Sequence, residues 1–131
     1  MKLHHLKTNV PLLAVVGFLT ACGGGGDQNA GAPTAFSLSS NTVTFTAPAG
    51  TPTGVCSGGG SADIFVYGGA APYQVNNSFP RYVSVNKTQV IDRGGSFTVT
   101  VGGGCLSPGV ITVVDNLNNV VTLTVNNNPA K

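Results

Sequence analysis

The chain contains no tryptophan and no glutamate, and its only two histidines, His4 and His5, fall within the first five residues. Charged residues make up 8% of it, and Asp27, Asp63, Asp92 and Asp115 are the whole acidic complement. General acid–base chemistry near neutral pH draws mostly on histidine or on a carboxylate of raised pKa. A serine nucleophile likewise needs a base beside it. Four scattered aspartates and no histidine beyond residue 5 supply neither, so the expectation is a protein that is not an enzyme. Calcium takes about 6–8 oxygens from closely spaced ligands, and no D-x-D-x-D pattern occurs, so neither metal nor cofactor is expected. Beyond the N-terminal segment, no window of about 11 residues carries the apolar stripe of a helix.

What is present begins with a processing signal. Lys2 and Lys7 flank the start, an apolar stretch runs from Val10 to Leu19, and Thr20 and Ala21 close it before Cys22. A basic segment, an apolar run too short to span a bilayer and small residues before a cleavage point make a secretory signal peptide. With the cysteine directly behind them, Leu19-Thr20-Ala21-Cys22 resembles the lipobox of bacterial lipoproteins. The resemblance implies that residues 1–21 are removed and that Cys22 becomes the acylated first residue, carrying chains such as palmitate. The lipid bilayer of a bacterial cell envelope is then the partner that holds the protein. Two or three acyl chains anchor far better than one. Gly23 after the cysteine, in place of aspartate, resembles lipoproteins forwarded to the outer membrane of a diderm host.

Processing changes the composition. Removing 21 of the 131 residues leaves 110, the size of one ordinary domain. Both histidines, Met1, Lys2 and Lys7 go with the signal. Arg81, Lys87, Arg93 and Lys131 then balance the four aspartates. The formal +2 and the pI near 8.6 belong to the precursor and argue nothing for nucleic acid. Beyond Cys22 two cysteines remain, Cys56 and Cys105, which in an oxidising compartment are most simply one disulfide. The alternative is two free thiols in a small β core.

Residues 22–35 read CGGGGDQNAGAPTA, with almost nothing to bury, and are expected to form a flexible tether. By random-coil scaling about 13 such residues reach roughly 20 Å. Beyond them apolar and polar residues alternate: Val43, Phe45 and Ala47; Phe97, Val99 and Val101; Val121, Leu123 and Val125, each set interleaved with threonine. Such segments are strands with one buried face. Asp63–Tyr67 and Val110–Val114 are more continuously apolar, as expected nearer the centre of a sheet. Tyr73–Val75 and Tyr82–Val85 suggest shorter strands, and Asp115–Asn119 a hairpin turn. The expected fold is an all-β antiparallel sandwich of about 7–9 short strands.

The stretches SLSSNTVTFTAPAG, GGAAPYQV, GGSFTVTV and GVITVVDNLNNVVTLTVNN, together spanning residues 36–126, resemble bacterial immunoglobulin-like domains of surface and secreted proteins. The resemblance implies an immunoglobulin-like β-sandwich over residues 36–126, followed by a tail at 127–131. The cysteines depart from the antibody arrangement, since Cys56 precedes its strand, Cys105 follows a glycine run and no tryptophan packs on them. Any bridge between them is therefore expected to tie two loops at one end of the sandwich.

Glycine triplets flank both cysteines, at residues 58–60 and 102–104. Backbone N–H groups there suggest an anion nest, but neither triplet leads into a helix or a Walker-type lysine. The plainer account is close approach of two loops. Tyr67, Tyr73, Arg81 and Tyr82 form a candidate face for sugar rings or peptide, against the alternative that Tyr67 and Tyr73 belong to the core and its rim. Asn76-Asn77-Ser78 and Asn86-Lys87-Thr88 match glycosylation sequons, which a bacterial lipobox makes accidental. The functional expectation is a membrane-anchored structural or binding module. Alternatives are a carbohydrate-binding or adhesin module using the Tyr/Arg face and an accessory subunit of an envelope complex docking by a strand edge.

Overall fold

The computed structural model describes residues 35–130, which fold into nine strands without a helix. The signal segment, Cys22 and the glycine-rich stretch lie outside the described residues. In chain order the strands are β1 (Ser37–Leu38), β2 (Thr42–Thr46), β3 (Gly58–Tyr67), β4 (Tyr73–Asn77), β5 (Val83–Val85), β6 (Gln89–Val90), β7 (Ser96–Gly102), β8 (Leu106–Val114) and β9 (Val120–Asn128). They form a four-stranded sheet in the order β1-β3-β7-β5 and a five-stranded sheet in the order β2-β9-β8-β4-β6.

The alternating residues face one another across the sandwich. Phe97 and Val99 of β7 meet Ile111 and Val113 of β8 and Leu123 and Val125 of β9 in one core, each at most 1% exposed. Burying a side chain of this size contributes roughly 1.5–3 kcal/mol, whereas an exposed ion pair contributes about 0–1 kcal/mol. The threonine-spaced apolar residues, not the few charges, therefore hold the sheets together. The expected hairpin is present: β8 and β9 pair antiparallel from Val114↔Val120 onward, and Asn118 takes a positive φ of 63° in the turn.

Several details depart from expectation. β3 is an inner strand, yet its outer face is open, so Phe65 and Tyr67 are 41% and 44% exposed while Ile64 and Val66 are buried. Their continuous apolarity reflects an uncovered sheet face rather than double-sided burial. The residues 58–60, expected in a loop, begin β3 and pair toward Gly102. β9 continues through Asn128, and Cys56 bridges Pro129, so the sheet extends past the expected boundary at residue 126.

The sheets are not wholly antiparallel. β2 lies parallel to β9, from Thr42↔Thr124 to Thr46↔Asn128. The cause is a crossing between sheets at Ser39–Asn41. The Ser39 backbone N–H donates to the Phe65 carbonyl at 2.9 Å, and the Phe65 N–H donates to the Ser39 hydroxyl at 3.1 Å. This closes the two-residue pairing of β1 with β3. The Ser40 hydroxyl then donates to the Thr42 carbonyl at 2.6 Å as the chain enters the other sheet.

Strand directions give the sandwich two distinct ends. Ala35–Phe36, the loop after β3, the 91–95 loop and the Asp115–Asn119 turn gather at the hairpin end. The start of β3, the end of β7 and the end of β9 gather at the disulfide end.

Candidate functional site

Cys56 and Cys105 are joined, with Cα atoms 5.2 Å apart and a separation of 49 positions in sequence. The bridge ties the segment before β3 to the one between β7 and β8, at the end of the sandwich, with Cys56 buried and Cys105 exposed. Around it the chain is knitted by a residue the sequence did not single out. Asn127 is 1% exposed, on the inward face of β9. Its Nδ2 donates to the Ser57 carbonyl at 2.8 Å and the Gly104 carbonyl at 2.9 Å, and its Oδ1 accepts from the Ser57 N–H at 3.1 Å. One side chain thus satisfies backbone groups beside both cysteines. Buried polar groups need such partners, and the amide offers both donor and acceptor.

The glycine triplets serve packing. A Cβ on Gly60 would come within 2.8 Å of the Phe45 ring, and one on Gly104 would collide with the Tyr82 ring. Each triplet thus makes room for an aromatic side chain beside the bridge.

The expected Tyr/Arg face is not assembled. Tyr73 is fully buried, stacks on Phe36 at 5.6 Å between ring centroids, and donates its hydroxyl to the Gly68 carbonyl at 2.6 Å. It is a core residue with its one polar atom satisfied. Tyr67 lies on the outer face of β3 at the hairpin end, beside Phe65 with centroids 6.5 Å apart. Tyr82 precedes β5 at the disulfide end, and Arg81 is exposed next to it. β7 spans the interval from Ser96, opposite Phe65, to Gly102, whose N–H donates to the Tyr82 carbonyl. At the rise of a strand that separates Tyr67 from Tyr82 by roughly 20 Å. No single small ligand touches both.

The aspartates within the sandwich are likewise dispersed. Asp63 accepts from the Thr98 hydroxyl at 2.6 Å on the outer face of the four-stranded sheet, and Asp92 is exposed in the 91–95 loop. Asp115 is buried and organises the hairpin. Its Oδ1 accepts from the N–H groups of Leu117 and Asn119, at 2.9 and 2.8 Å. Its Oδ2 accepts from the Ala70 N–H and the Asn119 side-chain amide, both at 2.9 Å. Burial by itself raises this carboxyl's pKa, but the hydrogen bonds from Asn119, Ala70 and Leu117 outweigh it and hold it below the usual value. Among the described residues no three metal-ligating side chains come together.

Beside Asp115 the hairpin end carries an open groove of about 630 Å³, lined by Ala35, Phe36, Leu117, Val120 and Arg93 among others. Arg93 donates to the Gly69 carbonyl at 3.1 Å across it. The groove is mostly apolar, with no nucleophile paired to a base.

No protein-family model matches the chain, and comparison with curated proteins gives no match. Among solved structures the chain is similar to WR4, a C. elegans MSP family member, at 10% identity and a TM-score of 0.51, over 70% of this chain and 95% of that one. It also overlaps S-layer protein SbsC. The structure of domains 4 and 5 aligns at 18% identity and a TM-score of 0.46, over 73% of this chain and 51% of that one. The structure of domains 1–6 aligns at 20% identity and a TM-score of 0.47, over 73% and 13%. The first of these likenesses supports the β-sandwich fold.

Proposed function

We propose that the chain is a non-catalytic β-sandwich of a bacterial envelope, held to a membrane through acylated Cys22 and acting there as a structural or binding module. The observation that carries this reading is how the cysteines are used. Cys56 and Cys105 are consumed by one disulfide, a bond that persists in oxidising compartments outside the cytosol. Cys22 is left behind an apolar run, where the lipobox resemblance puts the acylated residue. The aspartates add support, since Asp115 is spent on the hairpin and Asp63 on Thr98. With Gly23 next to the anchor, the outer membrane is the destination in a diderm host.

Mass spectrometry of the protein recovered from the membrane fraction tests the anchor. The expected result is a chain beginning at Cys22 with a diacylglyceryl modification, and a Cys22→Ala variant that no longer fractionates with membranes. Recovery of a mature chain that starts elsewhere, with an unmodified Cys22, overturns the reading.

A further inference from the structure

The most exposed large hydrophobic side chains among the described residues are Leu117 at 71%, Ile91 at 62% and Val120 at 57%. All three lie at the hairpin end, on the turn between β8 and β9, the first residue of β9 and the loop between β6 and β7. The opposite end exposes less, with Val55 at 46% and Tyr82 at 38%. Ala35, where the described chain starts, lines the same groove as Leu117 and Val120. Ala35 lies thirteen positions after Cys22 in the sequence.

We infer that the hairpin end rests on the lipid surface, with Leu117, Val120 and Ile91 entering the headgroup region. This rests on the reading of Cys22 as the anchor. With residues 22–35 as the tether expected from their composition, random-coil scaling gives a reach of roughly 20 Å, while the ten residues of β3 carry the disulfide end about 30 Å farther along the strand direction. The end that the anchor keeps near the bilayer is therefore the one with exposed apolar side chains. Such side chains partition into the headgroup boundary in proportion to the apolar area they bury. Three of them bind weakly as a free domain, but a short tether makes the contact intramolecular and raises its effective concentration. Asp92 and Arg93, both exposed in the adjoining loop, offset each other in charge, so the contact needs no anionic lipid. Its consequence is orientation: the disulfide end and the lengths of both outer sheet faces point away from the membrane.

The absence of tryptophan makes an introduced indole a clean reporter. Leu117→Trp and Val55→Trp are compared in the acylated protein, purified from membranes and reconstituted in phosphatidylcholine vesicles containing lipid with brominated acyl chains. The same indole at both ends cancels its own interfacial affinity. The expected result is a blue-shifted Leu117→Trp emission, quenched several-fold more than that of Val55→Trp and insensitive to salt. Equal quenching at the two ends, or none at either, overturns the inference.

A second arm couples the chain beginning at Cys22 to a maleimide-headgroup lipid. Cys22 is its one available thiol, because Cys56 and Cys105 are paired. This arm decides the docking even if mass spectrometry shows that the cell does not acylate Cys22. If Leu117→Trp is already blue-shifted and shielded without vesicles, residues before 35 cover the groove, and the inference fails.

Discussion

Asn127 and Ser57 exchange hydrogen bonds in both directions, Ser57 N–H to Asn127 Oδ1 at 3.1 Å and Asn127 Nδ2 to the Ser57 carbonyl at 2.8 Å. The pair mimics a rung of a strand ladder, built from a side chain beside the backbone bridge of Cys56 to Pro129. Replacing Asn127 with Leu keeps the bulk and orphans the Ser57 and Gly104 groups. A buried group without a partner costs about 1–3 kcal/mol, so the expected loss is about 3 kcal/mol by denaturant titration. A loss under about 0.5 kcal/mol would show that water replaces the amide.

The bridge beside that pair closes a long loop. By loop-closure entropy, joining residues 49 apart stabilises the domain by roughly 4 kcal/mol. At about 4–8 °C per kcal/mol for a domain of this size, reductant or a Cys56→Ala, Cys105→Ala double variant is expected to lower Tm by more than 15 °C, on the order set by that scaling. Equal melting with and without reductant contradicts this.

Asp115 sets an acid limit on stability. Its carboxyl has a lower pKa folded than unfolded, so its contribution is complete above the unfolded value near about 4 and disappears as pH falls through the lower folded value. Asp115→Asn is expected to be less stable at neutral pH, because one acceptor of the hairpin N–H groups becomes a donor. It should also lose less stability than the parent as pH falls from about 5 toward 2. Parallel acid-unfolding curves for the two proteins refute the assignment.

Tyr73→Phe separates a core role from a ligand role. Removing the hydroxyl orphans the buried Gly68 carbonyl and is expected to destabilise the domain by about 1–3 kcal/mol. Tyr67→Ala, on the open face of β3, is expected to cost less than Tyr73→Ala, which empties the core beside Phe36. Thermal melts of the three variants give the order directly, and a reversed order rules out the placement.

The alternation that made β7 and β9 legible in the sequence is local physics: Phe97, Val99 and Val101 fall on one face whatever the partner strand is. The Asp115–Asn119 turn was legible for the same reason, as turn chemistry between two such runs. Sheet membership was not. Ser39–Asn41 looks like any polar turn, and only the long-range bonds between Ser39 and Phe65 send β2 to the other sheet. Tyr73 and Tyr67 are the same residue type in neighbouring apolar runs, and tertiary packing alone buries one and exposes the other. Asn127 was hidden in a run of three asparagines that reads as a polar tail, although strand parity points the middle one inward.

The parallel pairing of β2 with β9 has a mechanical consequence. Residue 35 lies at one end of the sandwich and Asn128 at the other, so a pull between them drags β2 and β9 past each other along their axes. All the pairings from Thr42↔Thr124 to Thr46↔Asn128 are loaded at once, in shear, rather than peeled apart one by one. Force spectroscopy should find a higher rupture force for pulling from the two termini than for pulling across the β8–β9 hairpin. A domain tied to a membrane and drawn from its far end would then hold as a unit until those rungs fail together.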